Sequence, residues 1–486
     1  MIRMRWTPKR RICAALASTI VVAAACGGGS DPSAPQSIGL EIVDGDAYTD
    51  TIGAISPHLL TVEVHAGARS PAGLVVRFEA IPTNDPTRYG QPTIRASTPG
   101  RNSFGNSVSD TTDTAGRVAM ETRMGIVAGE ARLVVSCPEL GLADTATFTV
   151  LPGKAWRIMI QPQDTTVYVG ASYTLGGYVV DGNLNRRSDA MSFESIRVIA
   201  VDASGRVQAG AQVGRGVIAV RGGGLVDTAK LNVLPLQKIA LFYQLPEQQL
   251  GWVSTALTDG SNLKKLAQVK SPSSLSLSAS GDKVLYDQDT GSRTDIFVVD
   301  ESGATRMLSD SRTRASAYPR YDAAGNIFFS GFALEPRFSL FRMAGDGTAL
   351  TELTTVESIV PIAVSPDGGE LVSQKTYGLY AHYVGSGVET QIAPSGASPT
   401  FSPDGKRVAY LAPGFNSSGL AVANADGSSA KVHEGRRPFV MPPAWLADSK
   451  WIITGDSEGT MLVNATTGEI LPLPGLTNFR LITTAP

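Results

Sequence analysis

The chain has 486 residues, of which 18% are charged and 42% apolar, and its 42 basic residues are balanced by 44 acidic ones. That length holds about three domains; the composition excludes a disordered chain, and the lack of a basic excess argues against a nucleic-acid partner. Gly (51) and Pro (29) are abundant and helical periodicity is nearly absent, which predicts an all-β protein built from short strands and tight turns.

Residues 1–25 carry a basic start (Arg3, Arg5, Lys9, Arg10, Arg11) and then the apolar run ICAALASTIVVAAA, too short to span a bilayer comfortably as a helix. Ala23-Ala24-Ala25-Cys26 resembles the bacterial lipobox. The resemblance implies cleavage before Cys26, lipidation of its sulfur and a membrane anchor, and Gly27 implies sorting to the outer membrane. Residues 26–36 are expected to be a flexible tether. Removing residues 1–25 takes away five basic residues and no acidic ones, leaving a net charge of −7. Cys13 goes with the leader and Cys26 would be acylated. Cys137, in ARLVVSC, is then left alone and is expected to be a small core residue of a strand.

Residues 37–152 alternate apolar and polar in LLTVEV, LVVRFEA, GRVAMET, ARLVVS and ATFTVL, which predicts an antiparallel sandwich. The order of these runs, with a turn at Asp113-Thr-Ala-Gly116, resembles an invasin-type bacterial Ig-like domain. The polar stretch 81–112 is expected to be a surface excursion with little regular structure. Residues 153–235 contain RVIAV and RVQAG around Ser204-Gly205 and resemble a group 2 bacterial Ig-like domain. DGNLN (181–185) offers oxygens at alternate positions but lacks the sixth-position Gly and closing Glu of a calcium loop, so it is expected to be a plain turn.

From Leu236 onward one pattern recurs: an apolar strand, a tight turn and a second apolar strand. Gly281, Gly325, Gly368, Gly405 and Ser449 anchor it at steps of 44, 43, 37 and 44 residues. A second series of turns at Gly260, Gly303, Gly347, Gly387, Gly427 and Gly468 steps by 43, 44, 40, 40 and 41. A period near 40 with four strands per unit predicts a β-propeller. The first unit lacks an inner strand and NFRLITTAP (478–486) lacks a unit, so the C-terminal strand is expected to close a six-bladed ring over 236–486. Ser365-Pro366-Asp367-Gly368 and Ser402-Pro403-Asp404-Gly405 resemble the repeats of TolB-type propellers, which implies a protein-binding platform. Two sandwiches stand where TolB carries an α/β domain, so a role in the Tol system is not implied.

Chemistry is sparse. Gly455-Asp456-Ser457-Glu458-Gly459 matches G-x-S-x-G, but it lies between two expected strands and should be a turn. His58, His65, His382 and His433 show no metal-binding spacing. Arg293, Arg312, Arg314, Arg337, Arg436 and Arg437 fall in loops expected on one face of the ring, where guanidinium forks suit a carboxylate or phosphate. Asp287, Asp289, Asp310, Glu335, Glu434, Asp456 and Glu458 share those loops, so local pairing is the competing expectation.

These features lead to a cell-envelope lipoprotein of the outer membrane, periplasmic or surface-facing, that presents a propeller on an Ig-like stalk. No catalytic residue, metal or cofactor is expected, and the partner would be an envelope protein or glycan. Two alternatives stay open: an enzyme acting on envelope polymer at the channel mouth, and a spacer without a ligand.

Overall fold

The computed structural model describes residues 37–82, 94–101, 103–244, 250–309, 312–333, 337–376, 378–413, 418–476 and 479–486. The leader, Cys26 and the tether lie outside the described residues. Every regular element described is a strand, and no described helix is long and apolar enough to cross a membrane. Contacts divide the chain into two compact units, Met1–Lys154 with Asp181–Arg186, and Ala155–Val180 with Arg187–Pro486.

In the first unit, period-2 alternation turns one side of each strand inward. Leu60–Ala66 buries Leu60, Val62, Val64 and Ala66, and Val75–Ala80 buries Val76, Phe78 and Ala80. A four-stranded sheet (Ile38–Asp44, Leu60–Ala66, Arg117–Met124, Ile94–Ser97) and a five-stranded sheet (Thr49–Thr51, Leu142–Leu151, Gly129–Cys137, Val75–Ala80, Ser107–Thr111) contribute to one apolar core. Each large side chain buried there contributes about 1.5–3 kcal/mol. Cys137 is fully buried in that core.

The stretch 81–112 departs from expectation. It contributes the strands Ile94–Ser97 and Ser107–Thr111, with Ile94 and Ala96 buried. Four residues with two inward positions are too short a pattern to stand out in a polar surrounding. Residues 83–93 and 102 lie outside the described residues.

In the second unit, residues 155–234 form a four-stranded sheet (Asp164–Tyr168, Leu225–Leu234, Gly214–Gly222, Ser192–Arg197), a three-stranded sheet (Ser172–Thr174, Arg206–Gln208, Ala200–Val201) and the pair Ala155–Gln161 with Gly176–Asp181. Ile158, Leu175, Val207, Ile218, Val220 and Leu231 form their core. The hairpin around Ser204-Gly205 is shorter than RVIAV suggests, because Val198 takes φ 70° and interrupts the run before Ala200–Val201. DGNLN is a turn. The Asp181 carboxylate accepts hydrogen bonds from the amides of Asn183 and Asn185 at 2.9 Å and from Asn185 Nδ2 at 2.8 Å.

The remainder forms six four-stranded antiparallel sheets. Five are consecutive in sequence and begin with Leu275–Leu277, Thr313–Tyr321, Ile362–Val364, Ala397–Phe401 and Ala444–Trp445. The sixth combines Lys238–Gln244, Leu250–Leu257 and Lys264–Lys270 with Phe479–Thr483, which pairs with Lys238–Gln244 in the register Ala240↔Thr483, Leu241↔Ile482 and Phe242↔Leu481. These six strands, Phe479–Thr483 included, touch in turn, and the cycle closes on itself.

All eleven anchors of the two turn series have positive φ, from 54° at Ser449 to 85° at Gly303 and Gly325. The period seen in the sequence is therefore a period of left-handed residues. At Gly427 a Cβ would lie 2.5 Å from the Ile392 carbonyl oxygen. Ser449, the one anchor that is not Gly, has its Oγ engaged by the Asp404 amide at 3.1 Å, in the turn of the preceding sheet.

Two substitutions test this arrangement by urea unfolding. Gly427→Ala should cost more than about 1 kcal/mol, because strain and the carbonyl clash add. Ile482→Ala should cost about 2–5 kcal/mol, because Ile482 is buried on the strand that completes the sixth sheet. Unchanged stability in Ile482→Ala would contradict the described pairing.

Candidate functional site

The six cycling strands enclose a cavity of ≈ 110 Å³, to which each contributes lining residues. Its wall is mostly small, aromatic or proline side chains, among them Phe401, Trp445, Pro361, Pro399, Pro442 and Pro443. Two of these strands combine a register shift with a left-handed residue where they face it. In Thr313–Tyr321 the register shifts between Ala317 and Arg320, and Tyr318 has φ 56°. In Ala397–Phe401 it shifts between Ala397 and Thr400, and Ser398 has φ 51°. Each strained residue precedes a proline, Pro319 or Pro399, and each lines the cavity. A non-glycine held in this region costs on the order of 1–3 kcal/mol, and bulges re-aim side chains at sites.

What the bulge at Tyr318 positions is Arg320. Its Nη1 donates to the carbonyls of Leu275 and Pro319, both at 3.1 Å. Burial pulls the guanidinium down to about 10, opposed by the nearby Asp287 and Tyr318, so it stays protonated at neutral pH. Asp287 is fully buried behind this wall and accepts three amides, from Ser273 at 2.7 Å, Ser274 at 3.1 Å and Tyr318 at 2.9 Å. Burial pushes its carboxyl up, while those amides and Arg320 pull it down. The result is a clamp across two sheets: Asp287 of one holds the bulge of the next, whose arginine reaches back to Leu275.

Ser274 also lines the cavity. It is only 3% exposed, and its Oγ has no hydrogen-bond partner among the described residues. Sequence reading missed Arg320, Ser274, Tyr318 and Ser398. The available signal was an X-Pro step just before the strand end that leads into the Asp-Gly turn, as in Tyr318-Pro319-Arg320-Tyr321 and Ser398-Pro399-Thr400-Phe401.

The six arginines singled out in the sequence lie elsewhere. Arg293 and Arg337 sit in loops between second and third strands, Arg312 and Arg314 at the start of Thr313–Tyr321, and Arg436 and Arg437 between Lys431–His433 and Ala444–Trp445. Arg293 pairs with Asp295 at 2.8 Å and donates to the Thr313 carbonyl at 3.1 Å. Arg337 holds Glu352 through two bonds of 2.9 Å and keeps its carboxyl below the usual range. Arg437 pairs with Glu458 at 2.6 Å, and Arg312 reaches the Leu350 carbonyl at 3.4 Å. Arg314 and Arg436 are exposed, with no ion pair among the described residues. Among the described acids named with these arginines, Glu458 is such a partner; Asp287 is in the wall described above, and Asp310 and Glu335 lie outside the described residues.

Gly455–Gly459 is a turn between Trp451–Gly455 and Thr460–Asn464, with Asp456 accepting the Glu458 amide at 2.7 Å. Among the described residues no group of three or more His, Cys, Asp or Glu is placed to hold a metal. His382 is not isolated, however. On three neighbouring strands, Ser373 Oγ meets its Nε2 at 2.7 Å and Glu389 approaches its Nδ1 at 3.2 Å. The order resembles a nucleophile–base–acid relay, but Ser373 is fully buried and the void beside His382 is only ≈ 30 Å³, so this network ties strands together. Burial holds His382 low, against the pull of Glu389, and holds His433 low, against its 3.0 Å contact with the Ala465 carbonyl. Histidines lowered by folding stabilise while neutral. Their contribution is complete above the unfolded value near ~6.5 and is lost as pH falls through it. The melting temperature should therefore drop between pH 7.5 and 5.5, and His382→Gln with His433→Gln should flatten that drop. An identical slope in the double variant would refute the assignment.

No family model and no curated protein matches the chain. Among solved structures it is similar to TolB from Acinetobacter baumannii, at 14% identity over 61% of this chain and 83% of that one, with a TM-score of 0.43. Against a putative TolB from Agrobacterium tumefaciens the figures are 12%, 49%, 88% and 0.39, and against a chain of the nidogen/laminin complex 14%, 51%, 98% and 0.40. The resemblance to a TolB-like fold is distant and covers part of the chain.

Proposed function

We propose that this chain is a lipid-anchored envelope protein in which two Ig-like sandwiches, 37–152 and 153–235, carry a six-bladed propeller, 236–486, that binds an envelope protein or glycan without catalysis. The observation that carries the propeller reading is the closed cycle of six four-stranded sheets, completed by Phe479–Thr483. Closure leaves the six first strands no free edge and frees the connecting loops to vary and to bind. Lipid attachment at Cys26 and an outer-membrane address rest on Ala23-Ala24-Ala25-Cys26-Gly27. The binding face is drawn from the loops between second and third strands and the linkers between sheets, which lie at one end of an up-and-down ring. There Arg314 and Arg436 are the exposed cations without an ion pair among the described residues, while Arg293, Arg337 and Arg437 are engaged with carboxylates.

The test is capture from envelope extracts by soluble protein starting at Gly27, beside a variant with Arg312, Arg314, Arg436 and Arg437 changed to Ala. A partner retained by the first and lost by the folded variant is the expected result. Equal capture by both would move the site off this face, and capture by neither would refute the platform reading.

A further inference from the structure

The cavity enclosed by the six sheets has one cationic side chain and no acidic one among its lining residues. That cation is Arg320. Both hydrogens of its Nη1 are used, on the Leu275 and Pro319 carbonyls, and its Nε and Nη2 have no hydrogen-bond partner among the described residues. A guanidinium whose Nε–Nη2 edge is open presents the two parallel donors that match a carboxylate. The buried counter-ion does not compete for that edge, because Asp287 is turned to three backbone amides. Ser274 Oγ is buried and unpartnered behind the same wall, closed off from the cavity. It is tied to Arg320 through the adjacent Leu275 carbonyl. The strained backbone at Tyr318, two residues before Arg320, is the kind of distortion that holds a side chain where unstrained backbone would not.

We propose that this cavity is a binding site for a small carboxylate, the carboxylate lying on the Nε–Nη2 edge of Arg320. The cavity's ≈ 110 Å³ leaves room for a ligand of a few heavy atoms. The site is distinct from the six-arginine face. It does not depend on whether that face binds a partner.

The experiment is saturation-transfer NMR titration of the chain lacking only residues 1–26, which keeps every described residue, with sodium propionate and separately with inorganic phosphate. Propionate should saturate one site and phosphate should bind less tightly. Arg320→Lys, which keeps the charge but loses the fork, should weaken propionate roughly tenfold. Arg314→Ala with Arg436→Ala should leave it unchanged, which separates this site from the proposed face. Absence of saturable binding, tighter binding of phosphate, or propionate affinity unmoved in Arg320→Lys would each overturn the proposal. If Arg320→Lys does not fold, the comparison of propionate with phosphate on the unaltered protein decides alone.

Discussion

The pairing of Phe479–Thr483 with Lys238–Gln244 is the contact on which the second unit depends. Without it the sheet of Lys238–Lys270 would have three strands and an open edge, and the cycle of first strands would stop at Ala444–Trp445. An open edge invites pairing with another chain. The two segments are more than two hundred residues apart in sequence, so this contact closes a long loop, and loop-closure entropy rises only slowly with length. The register is held by burial. Leu241 and Ile482 share one apolar cluster with Trp451, Ile453 and Leu462 of the neighbouring sheet, and a one-residue slip would turn them away from it. Leu234, at the end of Leu225–Leu234, joins the same cluster and so shares the core of the fifth and sixth sheets.

Once the cycle is closed, six short strands face a common centre with little room, and their backbones settle the competition for it. Bulges at Tyr318 and Ser398 are tolerated because the surroundings over-determine them: the Tyr318 amide is bound to Asp287, and prolines follow both residues. Placing Arg320 beside a buried carboxylate in this wall is costly unless both are hydrogen-bonded, and both are. The same clamp that locks two sheets together therefore leaves half of a guanidinium facing the cavity.

Much of the fold was legible. Left-handed residues at fixed intervals demand Gly, so both turn series could be counted from the sequence, and Ser449 was recognisable from spacing alone. Period-2 alternation marked the long strands of the first unit. Ile94–Ser97 was missed because two inward residues make no period, and Val198 broke a run that looks continuous. The site was much less legible. Tyr318-Pro319 and Ser398-Pro399 suggest extended backbone, since a residue before proline avoids the helical region, yet here both are left-handed. Arg320 is one arginine among many in the sequence, and only the closed cycle gives it a cavity to face. The arginines chosen from loop position meet carboxylates on neighbouring strands, Asp295 and Glu352, which loop reasoning does not pair. Ser373, His382 and Glu389 come together because His382 lies opposite Glu389 and diagonal to Ser373 on adjacent strands, a register that spacing does not reveal.

The most direct test of closure is hydrogen exchange at the amides of Phe479–Thr483, followed by mass spectrometry alongside Lys238–Gln244 and the interior strand Arg407–Pro413. The structure predicts that the Leu481 and Ile482 segment is protected together with Lys238–Gln244 and unfolds with it. Exchange of Phe479–Thr483 at the rate of an unfolded peptide, with Arg407–Pro413 still protected, would contradict the closed cycle and the cavity built on it.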